Sequence, residues 1–217
     1  ALGDFVVTLP SLAAVRKAFP NAALHLLAHP AHAALAAADG LCDGTRSLES
    51  AGLAPFFTPQ GEPGSDWREW FGSFDLVVSW LADRDGVFRR QVIAAGAGEF
   101  CQGPWQFVPG KPVAAQLANA LAGLPVGTTA HWHAFQFCNG VRRNTLAIHP
   151  GSGSARKNWP VSHWLALLTA WHHLHPEMKL LVITGEAEPP EIQALPATLR
   201  DSGIPCTHSH GAPLTEV

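Results

Sequence analysis

The chain has 217 residues, a formal net charge of −3 and 47% hydrophobic residues, which is the composition of a folded globular protein with one large or two modest cores. This composition excludes a disordered chain, and the slight acidic excess argues against a broad nucleic-acid-binding surface. No apolar run approaches the roughly 18 to 20 residues that cross a bilayer, so no membrane-spanning helix is predicted. The four cysteines are scattered without a Cys-x-x-Cys pair, which argues against a zinc knuckle and against a dense disulfide framework. This cysteine usage is typical of a protein in a reducing cytoplasm.

Helices and strands alternate along the first part of the chain. Apolar residues at helical spacing predict a helix over 10–19, and the next apolar run predicts a strand over 23–28. The elements predicted after these are helices over 31–38, 66–71, 87–95 and 113–124, and strands over 45–48, 76–80 and 99–103. This alternation is typical of an α/β fold with a mostly parallel sheet and helices on both faces.

The periodicity lapses over 127–144, which predicts a boundary between domains 1–138 and 139–217. A second α/β unit follows. Its predicted elements are strands over 146–149, 179–184 and 206–209, a glycine-rich loop over 150–160, and helices after this loop and over 191–200. The first of these helices is predicted to bury an apolar face made of Trp164, Leu167, Leu168, Trp171 and Leu174.

The loop His149-Pro-Gly-Ser-Gly-Ser-Ala-Arg-Lys-Asn-Trp-Pro160 has the chemistry of a phosphate-binding segment. Its glycines let the backbone approach an anion, its hydroxyls donate hydrogen bonds, and the next helix offers a positive N-terminal end. The alternative interpretation is an exposed Gly/Ser turn with two ordinary surface cations. Neither this loop nor the turn at Gly185 matches the Walker or dinucleotide-binding patterns.

Gly3-Asp4 is predicted to precede the first helix, which leaves Asp4 near the positive end of that helix. The structural interpretation is a helix cap, the usual role of aspartate at such a position. The functional interpretation is a general base in a cleft between two domains.

Four motifs in order resemble the heptosyltransferases of glycosyltransferase family 9. The resemblance covers both predicted domains. The motifs are Gly3-Asp4 with Thr8-Leu-Pro-Ser-Leu12 and Arg16-Lys-Ala-Phe-Pro-Asn-Ala22, the loop from His149 with Lys157-Asn-Trp-Pro160, the turn Thr184-Gly185 with Glu186 or Glu188 behind it, and Gly211-Ala-Pro-Leu-Thr-Glu216.

This resemblance implies a GT-B fold, in which two Rossmann-like domains face a cleft with the acceptor on the first and the nucleotide-sugar donor on the second. It implies transfer of heptose from ADP-heptose to the lipopolysaccharide inner core, with inversion of the anomeric carbon and without a metal or other cofactor. A cytoplasmic enzyme of this kind would work at the inner membrane face, with peripheral membrane contact through its acceptor and no nucleic-acid partner.

The family's site residues match individual positions of this chain. Asp4 would be the general base, with Gly3 and Thr8 beside it on the acceptor side. A glutamate after Gly185 would contact the nucleotide, and its spacing narrowly favours Glu188 over Glu186. The donor diphosphate would be held by Ser152, Gly153, Ser154 and Lys157, of which Lys157 would also act in catalysis by stabilising the departing charge.

The chain departs from the family pattern at both ends. The strand expected before Gly3 and the later Asp-Ser/Thr-Gly motif with its histidine are absent from the printed sequence, so a fragment is expected. Three alternatives stay open. They are a GT-B enzyme with another donor or an epimerase activity, a catalytically silent nucleotide-binding module, and a nicotinamide-dependent oxidoreductase that the broken glycine pattern disfavours.

The remaining polar and aromatic clusters are less specific. The histidine pairs at 131 and 133, 172 and 173, and 208 and 210 lack the spacing and carboxylate partner of a metal site, although His208 and His210 would share a strand face. Tryptophans at 67, 70, 164 and 171 favour packing over sugar stacking. The arginines at 84, 89 and 90 favour a solvated helix face over an anionic acceptor site.

Overall fold

The computed structural model of the chain describes residues 2–126 and 144–216. It forms two compact units, Ala1–Phe137 and Cys138–Val217. The predicted histidine pair at 131 and 133 lies outside the described residues. No described helix has the length and apolar character needed to cross a bilayer.

The first unit alternates helices with short strands. In chain order its elements are α1 (Leu2–Ala18), β1 (His25–Ala28), α2 (Pro30–Ala38), β2 (Gly44–Ser47), α3 (Ser65–Gly72), β3 (Leu76–Ser79), α4 (Val87–Ala94), β4 (Glu99–Gln102) and α5 (Val113–Leu117). Strand β1 pairs with β2, and β3 with β4, both in parallel. The parallel pairing of strands separated by helices confirms the α/β prediction.

The core of this unit lies between the β3–β4 pair, helices α3 and α4, and a 3₁₀ helix over Ala51–Phe57. Aromatic rings fill much of it, and the rings of Phe56 and Phe71 lie 4.7 Å apart in a tilted arrangement. The buried members of this core are Leu53, Phe56, Trp67, Phe71, Phe88, Val92, Ala97 and Phe100. Trp67 is therefore a packing residue, as predicted.

Helix α1 begins at Leu2, so the prediction that Gly3-Asp4 precedes the first helix is wrong. Pro10 lies inside the helix although proline removes a hydrogen-bond donor there. The buried side chains of Phe5 and Leu9, one helical turn apart, continue the apolar face N-terminal to this proline. Packing of this face, with α1 against α5, therefore outweighs the cost of the proline.

The second unit is a three-stranded parallel sheet in the order β5-β6-β7, with its core on the side of the helices. Its elements are β5 (Thr145–Ile148), α6 (Val161–Leu174), β6 (Lys179–Thr184), α7 (Pro190–Gln193), α8 (Leu195–Asp201) and β7 (Thr207–His210). Strand β6 alternates between buried and half-buried residues along its length after Lys179. The buried core residues are Leu168, Leu180, Val182, Leu195, Leu199 and Ile204.

The apolar face predicted for α6 is narrower in the structure. Leu168 is fully buried, and Trp164 and Trp171 pack partly buried against the same core. Leu167 and Leu174 are exposed, at 46% and 76% of their surface, so their predicted burial is wrong. The stripe of α6 that packs against the core leaves these two leucines outside it.

Two predicted helices are interrupted. The helix predicted over 191–200 is divided into α7 and α8, because Pro196 lies in the first turn of α8 and cannot donate a helical hydrogen bond to the preceding turn. The helix predicted over 113–124 ends as α5 at Leu117 and continues as a 3₁₀ helix over Ala118–Leu121.

Candidate functional site

The carboxyl ends of the three parallel strands of the second unit lie at one edge of the sheet. His149 follows β5 at this edge, Gly185 follows β6, and His210 ends β7. In open α/β sheets ligands bind outside the carboxyl ends of the strands. The glycine-rich loop over 150–160 leaves β5 at this edge, so the fold places the predicted phosphate-binding segment where a ligand is expected.

Hydrogen bonds within the glycine-rich loop fix its first half. The Ser152 hydroxyl lies 3.0 Å from the carbonyl oxygen of Ser154 and 2.8 Å from Oδ1 of Asn158, and it accepts a hydrogen bond from the Ser154 amide. These internal contacts occupy the Ser152 hydroxyl, which therefore shapes the loop. The Ser154 hydroxyl has no hydrogen bond to another part of the described chain, so it can face a ligand.

Lys157 lies at the end of a 3₁₀ helix, Ala155–Lys157, and its side chain is exposed. Its amide donates to the carbonyl oxygen of Ser154, which brings the base of its side chain beside the serines of the loop. Helix α6 begins four residues further on and has 14 residues, so its N-terminus carries a positive partial charge. The loop thus combines an exposed cation with a helix N-terminus, which suits a diphosphate.

Glu188 is buried beneath the loop, with 4% of its side chain exposed. Its Oε1 lies 2.8 Å from Nε2 of His149, and its Oε2 accepts a hydrogen bond from the Gly185 amide. The side chain of Gln193 donates to its carbonyl oxygen. Glu186 is exposed, so Glu188 is the glutamate that the fold directs toward the loop.

Gly151 is the residue of the loop that touches Glu188. A Cβ atom at Gly151 would lie 2.0 Å from Cγ of Glu188 and 3.0 Å from Cγ2 of Ile192. A side chain at Gly153 would meet nothing within 4 Å. The first glycine is therefore required by close packing, and the second is not.

The substitution Gly151→Ala is expected to lower the free energy of unfolding by about 1 to 3 kcal/mol, because overpacking forces a buried, tethered side chain to move. Gly153→Ala is the matched control and should leave the unfolding midpoint close to that of the wild type. Chemical denaturation of both variants checks the prediction. Equal stability of the two variants would contradict the close approach of Gly151 to Glu188.

A second cluster lies at the same edge of the sheet around the buried Thr184. Its hydroxyl oxygen lies 2.8 Å from Nε2 of His208 and 2.9 Å from Nδ1 of His210. The hydroxyl has one proton, so it donates to one imidazole and accepts from the other. Burial lowers the pKa of His208 below its usual value, and the neighbouring His210 and Arg200 lower it further.

This pKa shift predicts a pH dependence of stability. A histidine whose pKa is lower in the folded state stabilises the fold when neutral, and this contribution is lost as the pH falls from the usual value of 6.5 through the lowered pKa of the folded state. We expect the unfolding midpoint to fall between pH 7.5 and 5.5, and to fall less in His208→Gln. Thermal unfolding across this range checks the difference. An equal change of the unfolding midpoint with pH in the wild type and in His208→Gln would contradict this prediction. Above pH 7.5 the midpoints of the two proteins should depend on pH in the same way.

The acceptor-side residues of the sequence analysis all lie in α1 of the first unit. Gly3 and Asp4 are exposed in its first turns, with Asp4 at the end where a carboxylate is stabilised by the helix. The Thr8 hydroxyl donates to the carbonyl oxygen of Phe5 at 2.6 Å, one turn earlier. Thr8 therefore uses its only proton within the helix.

The structure also describes most of the other clusters of the sequence analysis. Arg46 lies over the rings of Trp67 and Trp70 and pairs with Asp66. Arg89 and Arg90 are exposed on α4. Across residues 2–126 and 144–216, no three histidine, cysteine or acidic side chains are grouped closely enough to hold a metal ion.

The first unit also has a groove of about 460 Å³ between α3, α4 and the loop before α3. Arg68, Gln91 and Glu62 are its polar lining residues. The Gln91 amide already donates to backbone oxygens of that loop. None of the predicted site residues lines this groove.

Two residues of this arrangement, His149 and Asn158, were not singled out from the sequence, whereas Gly151 was. His149 and Gly151 contact Glu188, and Asn158 contacts Ser152. His149 and Gly151 stand in the motif that drew attention to the loop, so their position was a usable signal. Their partner Glu188 is 39 residues from His149, and only the pairing of β5 with β6 brings the two together.

Comparison with protein-family models gives no match, and comparison with curated proteins gives none. Among solved structures, the chain is similar to the glycosyl transferase family 9 protein from Veillonella parvula DSM 2008, with a TM-score of 0.68 and 15% sequence identity. The similarity covers 97% of this chain and 67% of that chain. At this identity it shows a shared α/β fold. The solved structure that shares this fold thus comes from glycosyltransferase family 9, the family that the sequence motifs resemble.

Proposed function

We propose that the chain is a family 9 glycosyltransferase that moves heptose from ADP-heptose to the lipopolysaccharide inner core. The observation that supports this best is the glycine-rich loop, with Lys157 and the N-terminus of α6, at the carboxyl edge of the second unit's sheet. The shared fold with a family 9 protein adds to it. In this proposal the fold is GT-B, the first unit binds the acceptor and the second binds the donor.

The proposed reaction is a single displacement at the anomeric carbon. Asp4 takes the proton of the acceptor hydroxyl while the oxygen of that hydroxyl forms a bond to the anomeric carbon. The bond from the anomeric carbon to the diphosphate oxygen breaks, and ADP leaves with the electron pair. Attack from the side opposite the leaving group inverts the configuration of the sugar.

In the proposed donor site the loop residues have different roles. Lys157 and the N-terminus of α6 supply the positive charge that the departing diphosphate needs, so the proposal includes no metal ion or other cofactor. Ser154 and the backbone at Gly153 would contact the phosphate oxygens. Ser152 and Glu188, which are tied by internal hydrogen bonds, would hold the loop in shape beside the nucleotide.

The proposal further places the reaction in the cytoplasm, at the inner membrane face, with membrane contact only through the acceptor. An assay of ADP release from ADP-heptose, with and without inner-core acceptor, tests it. We expect release that depends on the acceptor. Turnover with another nucleotide sugar but not with ADP-heptose would favour a different donor. Conversion of the sugar without an acceptor would favour an epimerase, and nucleotide binding without turnover would favour a catalytically silent module.

A further inference from the structure

We propose that His149 is a positioning residue of the donor site, which holds the buried Glu188 carboxylate and through it joins the glycine-rich loop to the Gly185 turn. This inference rests on the proposed function, because it assigns a further residue to the same nucleotide site. It starts from the Glu188 carboxylate, which has only 4% of its side chain exposed. A buried carboxylate is stable only when its oxygens are paired with donors.

The two oxygens of Glu188 have donors from two different loops. Oε2 accepts from the amide of Gly185, in the turn after β6. Oε1 lies 2.8 Å from Nε2 of His149, the first residue after β5. Of these two donors only the imidazole is a side chain, so the contact to the β5 loop depends on the identity of residue 149.

The imidazole is also the more exposed partner of the pair. The His149 side chain is 53% exposed whereas that of Glu188 is 4% exposed, so the ring lies on the outer side of the pair. Gly151, two residues further on, leaves room for Cγ of Glu188. His149 and Gly151 together hold Glu188 at the start of the glycine-rich loop. Ser154 and Lys157 come a few residues later in the same loop, where the Lys157 amide donates to the Ser154 carbonyl oxygen.

Loss of the imidazole leaves the Oε1 atom without this donor and removes the side-chain hydrogen bond that joins the start of the loop to Glu188. A hydrogen bond to a charged group contributes enough to change binding by about tenfold to a hundredfold. We expect His149→Ala to weaken ADP binding by about this factor. His149→Gln should restore most of the affinity, because a glutamine amide can place a donor near the position of Nε2.

The test is calorimetric titration with ADP of the wild type, His149→Ala, His149→Gln, Glu188→Ala and the double alanine variant, with the unfolding midpoint of each. The inference expects weak binding by His149→Ala, recovery by His149→Gln, and no further loss when His149→Ala is added to Glu188→Ala. Wild-type affinity in a folded His149→Ala protein would overturn it and leave the proposed function intact.

Two other results would also overturn it. A full additional loss in the double variant would mean that His149 contacts ADP directly and does not act through Glu188. Absence of ADP binding by the wild type would remove the proposed donor and this inference together. The wild-type titration therefore separates failure of the proposed function from failure of the role assigned to His149.

Discussion

Substitution of Lys157 by alanine is expected to reduce donor turnover by about 10²- to 10³-fold, the usual effect of removing a charged group that stabilises a transition state. Lys157 is exposed at the end of the 3₁₀ helix in the glycine-rich loop, and its backbone is fixed by a hydrogen bond to Ser154. Its charge is the one the proposed reaction uses on the departing diphosphate. Initial rates of ADP release at saturating acceptor measure the effect.

The neighbouring cation provides a matched control for Lys157. Arg156 belongs to the same 3₁₀ helix, is exposed, and carries the same charge. Arg156→Ala should keep a turnover close to that of the wild type, because no step of the proposed reaction uses it. Similar losses in both variants would show a general effect of charge, and wild-type turnover in Lys157→Ala would remove the role of the loop in the reaction.

The substitution Asp4→Asn is expected to reduce kcat by about 10²- to 10⁴-fold, the usual contribution of a general base. Asparagine keeps the shape of the side chain and removes its capacity to take a proton. The proposed donor site lies in the second unit, so the KM for the donor should change little. Steady-state kinetics with varied donor at saturating acceptor separates the two parameters.

A structural role of Asp4 predicts a different outcome. A carboxylate in the first turn of α1 stabilises that helix by about 0.3 to 1 kcal/mol, so Asp4→Asn lowers the unfolding midpoint slightly whether or not Asp4 is the base. Glu69→Gln, on the exposed side of α3, controls for the loss of one surface carboxylate. Retained turnover in a slightly destabilised Asp4→Asn protein would reduce Asp4 to a helix-stabilising residue.

Most strands were predictable because they contain a short apolar run bounded by turn residues, whereas β2 and β7 are polar. The prediction over 179–184 coincides with β6, and the other strand predictions agree with the structure within a few residues. Helix boundaries were harder to predict. The start of α1 was missed because Pro10 suggests a helix start locally, whereas burial of Phe5 and Leu9 extends the helix beyond it.

The exposed face of α6 shows a different limit of sequence reasoning. Leu167 and Leu168 are adjacent and equally apolar, and helical spacing alone predicts that both are buried in the core. The structure buries Leu168 and exposes Leu167, because the stripe of α6 that packs against the core is narrower than its apolar surface. The width of that stripe depends on how helix and sheet are packed, which the sequence pattern does not contain.

The candidate site was predictable where its chemistry is local. Ser152, Ser154 and Lys157 lie within six residues of one another, and their glycine-rich setting predicts an anion site there, with an exposed Gly/Ser turn as the alternative. The contacts that hold the site depend on the fold. His149 meets Glu188 across 39 residues, and Thr184 meets His208 across 24, because parallel strands bring their carboxyl ends to one edge.

Calorimetric titration of the protein with ADP, ADP-heptose, UDP and NAD, repeated on Lys157→Ala, tests the central claim most directly. We expect ADP and ADP-heptose to bind, UDP and NAD to bind much more weakly, and Lys157→Ala to abolish or strongly weaken binding of the ADP ligands. Binding of NAD in preference to ADP-heptose, or ADP binding that Lys157→Ala leaves unchanged, would contradict a donor site built on the glycine-rich loop.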